Sequence, residues 1–256
     1  MRCKVRQVTL RRIPKRALLP GIATEWADAR KVGLGIRQWR SAQKACLHLL
    51  PSMEIVRDGL ILDVGANVGD WTAAVLAADP SVTVIAVEPG DAPLAVLEGR
   101  FAHDARVTVI SCAVGAEPDY RDFYVTEHSH NSSLRQPRAE MDLLYSGEGW
   151  GASSVARVEV TTVDAITNGR PIALLKVDVQ GAELEVLQGA CATLTRTSAL
   201  LLEVTFLSHY RGDTTFPALH AYMVERGFEL ANISRPFMSA RRTALWCDAC
   251  YTPRPD

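Results

Sequence analysis

Ile61-Leu-Asp-Val-Gly-Ala-Asn-Val-Gly-Asp70 decides how this chain is read. Leu60, Ile61, Leu62 and Val64 make a short apolar run, the pattern of a parallel strand buried on both faces. Gly65 and Gly69 follow at once, with Asn67 between them, and residues 70–78 read as a helix. A strand, a tight glycine turn and a helix form a cradle for a nucleotide-like ligand. The glycines permit close backbone approach, and the start of the helix offers free N–H groups.

The spacing narrows the ligand. A dinucleotide fingerprint requires G-x-G-x-x-G. The order here is Asp63-x-Gly65-x-Asn67-x-Gly69, which disfavours an NAD-dependent oxidoreductase. D-x-G-x-N-x-G instead resembles the first motif of class I S-adenosylmethionine-dependent methyltransferases. Asn suits the middle position because it tolerates left-handed backbone better than most residues.

Outward from this stretch, strands and helices alternate. Residues 81–87 are a β-branched strand that ends in Glu88-Pro89. A carboxylate at that strand end can accept two hydrogen bonds from a ribose diol, and Glu88 lies 25 positions after Asp63. A helix follows over residues 94–101 and a third strand over 106–112. The small residues Ala113, Val114 and Gly115 come next and are expected to wall an adenine. Alternation then breaks. Residues 123–125 read as a hairpin strand, 128–134 are polar, 135–152 are irregular and 155–163 form a strand. An insertion of this size on the ligand side reads as a lid, with a plain surface loop as the alternative. Residues 172–178 resume the buried strands, with a turn at Val179-Gln180-Gly181 and a helix over 182–188. A fifth strand at 199–204, a helix at 216–225 and closing strands at 228–233 and 244–250 complete the pattern. The expected fold is a doubly wound α/β sheet, Rossmann-like, with an antiparallel C-terminal strand and a β insertion.

The length of 256 residues suits one α/β domain with an extension, read as residues 1–50 (basic, with helices) and 51–256 (ligand-binding). The extension is expected to be weakly ordered over 1–20. Over 23–50 it should carry one or two helices, with Trp26, Trp39, Leu47, Leu49 and Leu50 as buried contacts. The net charge of −1 hides an asymmetry. Residues 1–45 hold twelve Lys/Arg against Glu25 and Asp28; the remainder has 16 basic and 27 acidic residues. Such an arm suits an anionic membrane surface, nucleic acid or an anionic substrate, or simply packs on the acidic body. No apolar stretch approaches the roughly 20 residues that span a bilayer, and no apolar leader is seen at the N-terminus. The six scattered cysteines suit a reducing, cytoplasmic setting. Cys247-Asp-Ala-Cys250 is a lone C-x-x-C in a strand, where its two side chains point to opposite faces. No second pair is spaced for zinc, and no metal is expected.

Three blocks resemble the FkbM family of S-adenosylmethionine-dependent methyltransferases: Leu62 to Gly69 with Glu88-Pro89, Asn131-Ser-Ser-Leu134, and Leu175-Lys-Val-Asp-Val-Gln-Gly-Ala-Glu-Leu-Glu-Val-Leu-Gln-Gly-Ala190. The resemblance runs from about Leu60 to Ile233 and leaves residues 1–50 outside. It implies S-adenosylmethionine as cofactor and methylation of a hydroxyl on a sugar, glycolipid or secondary metabolite.

In that reading Gly65, Asn67 and Gly69 surround the methionine part, and Asp63 supports the loop or meets its amino group. Glu88 holds the ribose, and Ala113 lies against the adenine. An alcohol is a weak nucleophile, so a base is expected near the methyl. His209, in the loop after the fifth strand, is the first candidate, with His128 and His130 behind it. Asp178 would act as base, as positioning group or as helix cap. Glu183 would be either a site carboxylate or a partner of the helix dipole. Tyr145, Trp150 and Tyr210 would stack on a sugar ring or pack a lid. Two other readings stay open: transfer to nucleic acid or protein, and a non-catalytic cofactor-binding module. Nucleic acid rests on the basic arm alone, because the Asn/Asp-Pro-Pro-aromatic motif is absent.

Overall fold

A computed structural model describes residues 44–145, 149–239 and 242–255 of the chain. The expectations for residues 1–43, Trp26 and Trp39 among them, lie outside the described residues.

The quoted stretch forms β1 (Leu60–Val64) and helix α1 (Asp70–Ala78), followed by β2 (Thr83–Val87), α2 (Asp91–Phe101) and β3 (Val107–Ile110). The excursion consists of β4 (Ala113–Val114), β5 (Asp119–Thr126), the short helix α3 (Met141–Leu144) and β6 (Ala152–Thr161). Helix α4 (Val163–Thr167) leads to β7 (Leu174–Val177), then come α5 (Glu183–Gln188), α6 (Cys191–Leu194) and β8 (Leu200–Thr205). Helix α7 (Phe216–Glu225), β9 (Phe228–Ile233), β10 (Phe237–Met238) and β11 (Ala244–Pro253) close the chain. The main sheet runs β3-β2-β1-β7-β8 in parallel, and β11 lies antiparallel beside β8. Both β9 and β10 pair with β11. A second sheet of β4, β6 and β5 forms the β insertion.

Period-2 alternation sorts the strand side chains onto two faces. Leu62, Val64, Val87, Leu175, Val177 and Leu202 pack in one core cluster, while Ile61, Val84, Ala86, Leu174 and Leu201 pack in the other. The same rule separates Cys247 from Cys250, one in each cluster.

Two differences from the sequence reading have physical causes. Helix α2 starts at Asp91 rather than 94, which places Pro93 in the first turn, where its missing N–H is no loss. Strand β5 spans eight residues rather than three. Its open face carries Tyr120 and Asp122, and on the face of buried Phe123 stand Asp119 and Arg121, the latter paired with Glu185, so charge on both faces masks the apolar signal. The burial expected of Leu47, Leu49 and Leu50 is seen: with Ala45 they pack in the cluster of Ile61 and Val75. The Trp71 indole also donates to the Ala45 carbonyl at 3.0 Å.

The turn after β1 is tied across the sheet. Gly65 and Ala66 both donate to the Val87 carbonyl at 3.0 Å. Gly65 has φ +79°, and a Cβ there would lie 1.8 Å from the Asp178 carbonyl oxygen. Its glycine is therefore required by the close approach of β7 as much as by any ligand. Gly227 has φ +84° with open space around the Cβ position. Gly65→Ala should lower the urea unfolding free energy by about 2–4 kcal/mol, from left-handed strain plus overpacking, and Gly227→Ala by only about 1–2 kcal/mol. Equal losses for both would show that the contact with Asp178 is unimportant.

Candidate active site

The site grows from one buried ion pair. Asp63 and Lys176 are direct register partners on β1 and β7. Lys176 Nζ lies 3.1 Å from Asp63 Oδ1 and 3.6 Å from Asp178 Oδ2, and donates to the Gly65 carbonyl at 2.8 Å. Thr72 on α1 donates to Asp63 Oδ2 at 2.6 Å. Burial alone would lower the Lys176 pKa, but Asp63 and Asp178 push it well above the ordinary lysine value. Asp63 is fully buried, so it holds the loop and does not reach the cleft.

Glu88 sits at the end of β2 and faces the glycine turn. Its Oε2 accepts from the Asn67 N–H and its Oε1 from the Gly90 N–H, both at 2.9 Å. Burial raises its pKa, and these two N–H groups partly oppose the rise. Asn67 takes the left-handed conformation expected of it, φ 50°. Gly69 lies behind the turn at the start of α1, packed toward Leu97 and Phe101. Gly65, Asn67, Glu88, Ala113 and Asp178 line one cleft with about 560 Å³ of empty space, open mouth included. Each Glu88 oxygen uses one acceptor position on the backbone and keeps another for a diol. Cys112, Ala113 and Val114 supply an apolar wall wide enough for a flat ring. This donor and acceptor set fits S-adenosylmethionine.

The turn after β7 is the hinge of the site. Gln180 takes φ 59° there. Its amide donates to Asp178 Oδ1 at 2.7 Å and to Glu203 Oε1 at 3.1 Å. The Tyr210 hydroxyl lies 2.9 Å from Gln180 Oε1. Glu183 accepts from the N–H groups of Val179 at 3.2 Å and Gly181 at 3.0 Å. Burial lifts its pKa to about 7. Glu183 thus anchors the turn and is absent from the lining of both cavities described here, which is a structural role rather than a site carboxylate's.

A second cavity, with about 730 Å³ of empty space, open mouth included, adjoins the cleft and shares His130, Asp178 and Gln180 with it. Its polar wall also carries Glu203 and His209; its aromatic wall is Tyr145, Trp150, Phe237 and Trp246. Burial first, then Asp178 and Glu183, raise the Glu203 pKa well above the carboxylate range. His209 is 2% exposed, shares a 2.6 Å hydrogen bond with the Tyr145 hydroxyl and stacks on Trp150 with centroids 5.6 Å apart. Burial pulls its pKa down to about 4 against the pull of Asp213, so the ring is neutral near pH 7. His128 and His130 stack on each other, and only His130 reaches the two cavities. Tyr210 is buried as a clamp, its hydroxyl also 3.0 Å from the Asn131 carbonyl.

Lys176, Gln180, Asn131, Phe237 and Trp246 are site residues that the sequence reading did not single out. Lys176 carried a usable signal: a lone cation inside an apolar strand run needs a buried anion. Gln180 carried none, because its backbone conformation is unusual for its type.

The parallel order closed by an antiparallel strand, with the cleft over the C-terminal ends of β1, β2 and β7, is the class I, Rossmann-like methyltransferase fold. The model of the methyltransferase FkbM domain matches residues 63–230, and the chain belongs to that family. It is 25% identical over 197 residues to the 2-O-methyltransferase NoeI of Sinorhizobium fredii, covering 74% of this chain and 81% of that protein. It also resembles the crystal structure of a methyltransferase FkbM from Methylobacillus flagellatus, with TM-score 0.51 and 18% identity over 77% of this chain. This chain spans 44% of the length of that protein. Sp1610 of Streptococcus pneumoniae, solved in complex with S-adenosyl-L-methionine, superposes with TM-score 0.50 at 11% identity, over 84% of this chain and 73% of that one.

The neutral state of His209 is directly measurable. At about pH 6 an ordinary histidine is more than half charged, whereas His209 should remain uncharged in an NMR titration of its ring. Because the folded pKa lies below the unfolded one, His209 removes stability as pH falls from 6.5 toward 4. A ring that titrates near its ordinary value would contradict the buried placement.

Proposed function

We propose that this protein is an S-adenosylmethionine-dependent O-methyltransferase acting on a hydroxyl of a sugar, glycolipid or similar polar metabolite. The observation that carries the proposal is the shared wall of Asp178 and Gln180 between two cavities. One has a ribose-type carboxylate in Glu88, and the other is aromatic with the neutral base His209. The name of NoeI, a 2-O-methyltransferase, supports an oxygen acceptor. Free thiols at Cys46, Cys112, Cys191, Cys247 and Cys250 support a reducing, cytoplasmic setting. The basic arm would favour acceptors displayed on an anionic surface.

When bound, S-adenosylmethionine supplies an electrophilic methyl on a sulfonium that departs as a neutral thioether. The chain must hold the acceptor hydroxyl in line with that methyl, which alone is worth several kcal/mol. His209 would take the proton of the acceptor hydroxyl as that oxygen receives the methyl. A base with a pKa as low as this one still helps, because the oxygen's proton becomes strongly acidic as the bond forms. The Asp178 carboxylate, held by Lys176 and Gln180, adds negative charge at the junction of the cavities.

Calorimetry should find micromolar binding of S-adenosylmethionine and none of NAD. Glu88→Ala should weaken it about 10- to 100-fold, the loss of charged hydrogen bonds. His209→Ala should cut the transfer rate about 10²- to 10⁴-fold while sparing cofactor affinity. Mass spectrometry with labelled cofactor would reject the reaction class if the methyl arrived on nitrogen or carbon.

A further inference from the structure

The second cavity contains polar atoms that nothing in the protein satisfies. Asn131 Nδ2 and Trp150 Nε1 are buried N–H donors without a hydrogen-bond partner, and both residues line this cavity. Buried donors are nearly always paired, so two orphans in one cavity call for acceptor atoms from outside the chain. Their surroundings hold them in place. The Asn131 carbonyl lies 3.0 Å from the Tyr210 hydroxyl, the Trp150 backbone N–H donates to Asp142 at 2.8 Å, and the Trp150 ring stacks on Tyr145 at 4.8 Å. Across from them, Asp178 and Glu203 offer oxygen atoms that can take hydroxyl protons.

The charge of the lining is equally selective. Among the described residues no Lys or Arg lines the cavity, while two carboxyl groups do. Lys176, the nearest cation behind that wall, is engaged by Asp63, Asp178 and the Gly65 carbonyl. A ligand bearing a carboxylate or phosphate would face Asp178, with no cation on the lining to pair with it. Phe237 stacks on Tyr145 and Trp246 and is 44% exposed, which puts an aromatic face at the entrance. Flat apolar faces with polar groups at the edges match a ring whose hydroxyls ring its rim.

We propose that the second cavity takes an uncharged polyhydroxylated ring, and that the Asn131 amide and the Trp150 indole N–H grip its oxygens beside the hydroxyl to be methylated. This rests on the methyl-transfer reading above and adds to it the charge of the acceptor and two residues that select it.

The test measures transfer from labelled S-adenosylmethionine to matched pairs of methyl glycosides. Each neutral hexoside is set against the uronoside of the same stereochemistry, on the full chain. At least one neutral glycoside should be methylated, with kcat/KM about 10-fold or more above its uronoside. Asn131→Leu and Trp150→Phe, which keep bulk and ring, should each raise the glycoside KM about 10-fold and leave S-adenosylhomocysteine affinity unchanged. Deoxy analogues of the active glycoside, used on the unaltered enzyme, should include one with a similar loss. That loss should vanish in the matching variant. A uronoside as good as its neutral partner overturns the charge assignment. Unchanged KM in both variants, or equal activity of every deoxy analogue, overturns the assignment of the donors. If no hexoside or uronoside is methylated while labelled cofactor still marks hydroxyls in an extract, this inference fails and the O-methyl reading survives. If no methyl reaches any oxygen, both fail together.

Discussion

Lys176 is the group on which the site depends. Among the described residues it is the one buried Lys or Arg, and it touches three parts of the cofactor wall at once. Through Asp63 it ties β7 to β1, through the Gly65 carbonyl it holds the glycine turn, and through Asp178 it reaches the junction of the two cavities. Removing one partner of such a buried pair leaves an uncompensated charge and typically costs about 3–5 kcal/mol. An apolar pair of equal volume would serve stability as well, so the ions are better explained by what they position. They set the loop height that brings the Asn67 N–H to Glu88.

Below that level the site is a set of carboxyl groups sorted by environment. Glu88 and Glu183 both accept backbone N–H bonds, yet Glu88 opens on a cleft and Glu183 is sealed beneath a turn. Glu203 has the Gln180 amide and two neighbouring acids, and its proton is held tightly. Three residues of one type thus face a cleft, hold a loop, and hold a proton. Their roles follow from who donates to them rather than from their position along the sheet edge.

That explains what could be read from the chain beforehand. The parallel strands were legible because β1, β2, β7 and β8 are buried on both faces and so are apolar without interruption. The glycine turn was legible because left-handed backbone restricts residue type. The insertion was only half legible, since β5 shows a single apolar face and its pairing with β6 is long-range. Trp150 was legible as a ring-stacking or lid residue and Asn131 as part of a family block, but not that they share one cavity with His209 and Phe237, because that depends on distant segments converging. The burial of Leu47, Leu49 and Leu50 was legible from their apolar character, although the short turn of Leu47–Leu49 that carries them into the core has no periodicity of its own.

The two cavities are built from different stock. The cofactor wall is drawn largely from strand ends whose side chains are locked in the main core. The aromatic wall comes from the insertion, with Tyr145 and Trp150, and from β10 and β11, with Phe237 and Trp246; Tyr145, Trp150 and Trp246 pack with Tyr210 and Leu245 in a small cluster of their own. Only His130, Asp178 and Gln180 belong to both. If the aromatic cavity takes the acceptor as proposed, exchanges at Tyr145, Trp150 and Phe237 would leave the parallel strands untouched, and a lineage with this architecture could change its acceptor at the periphery while keeping its methyl donor.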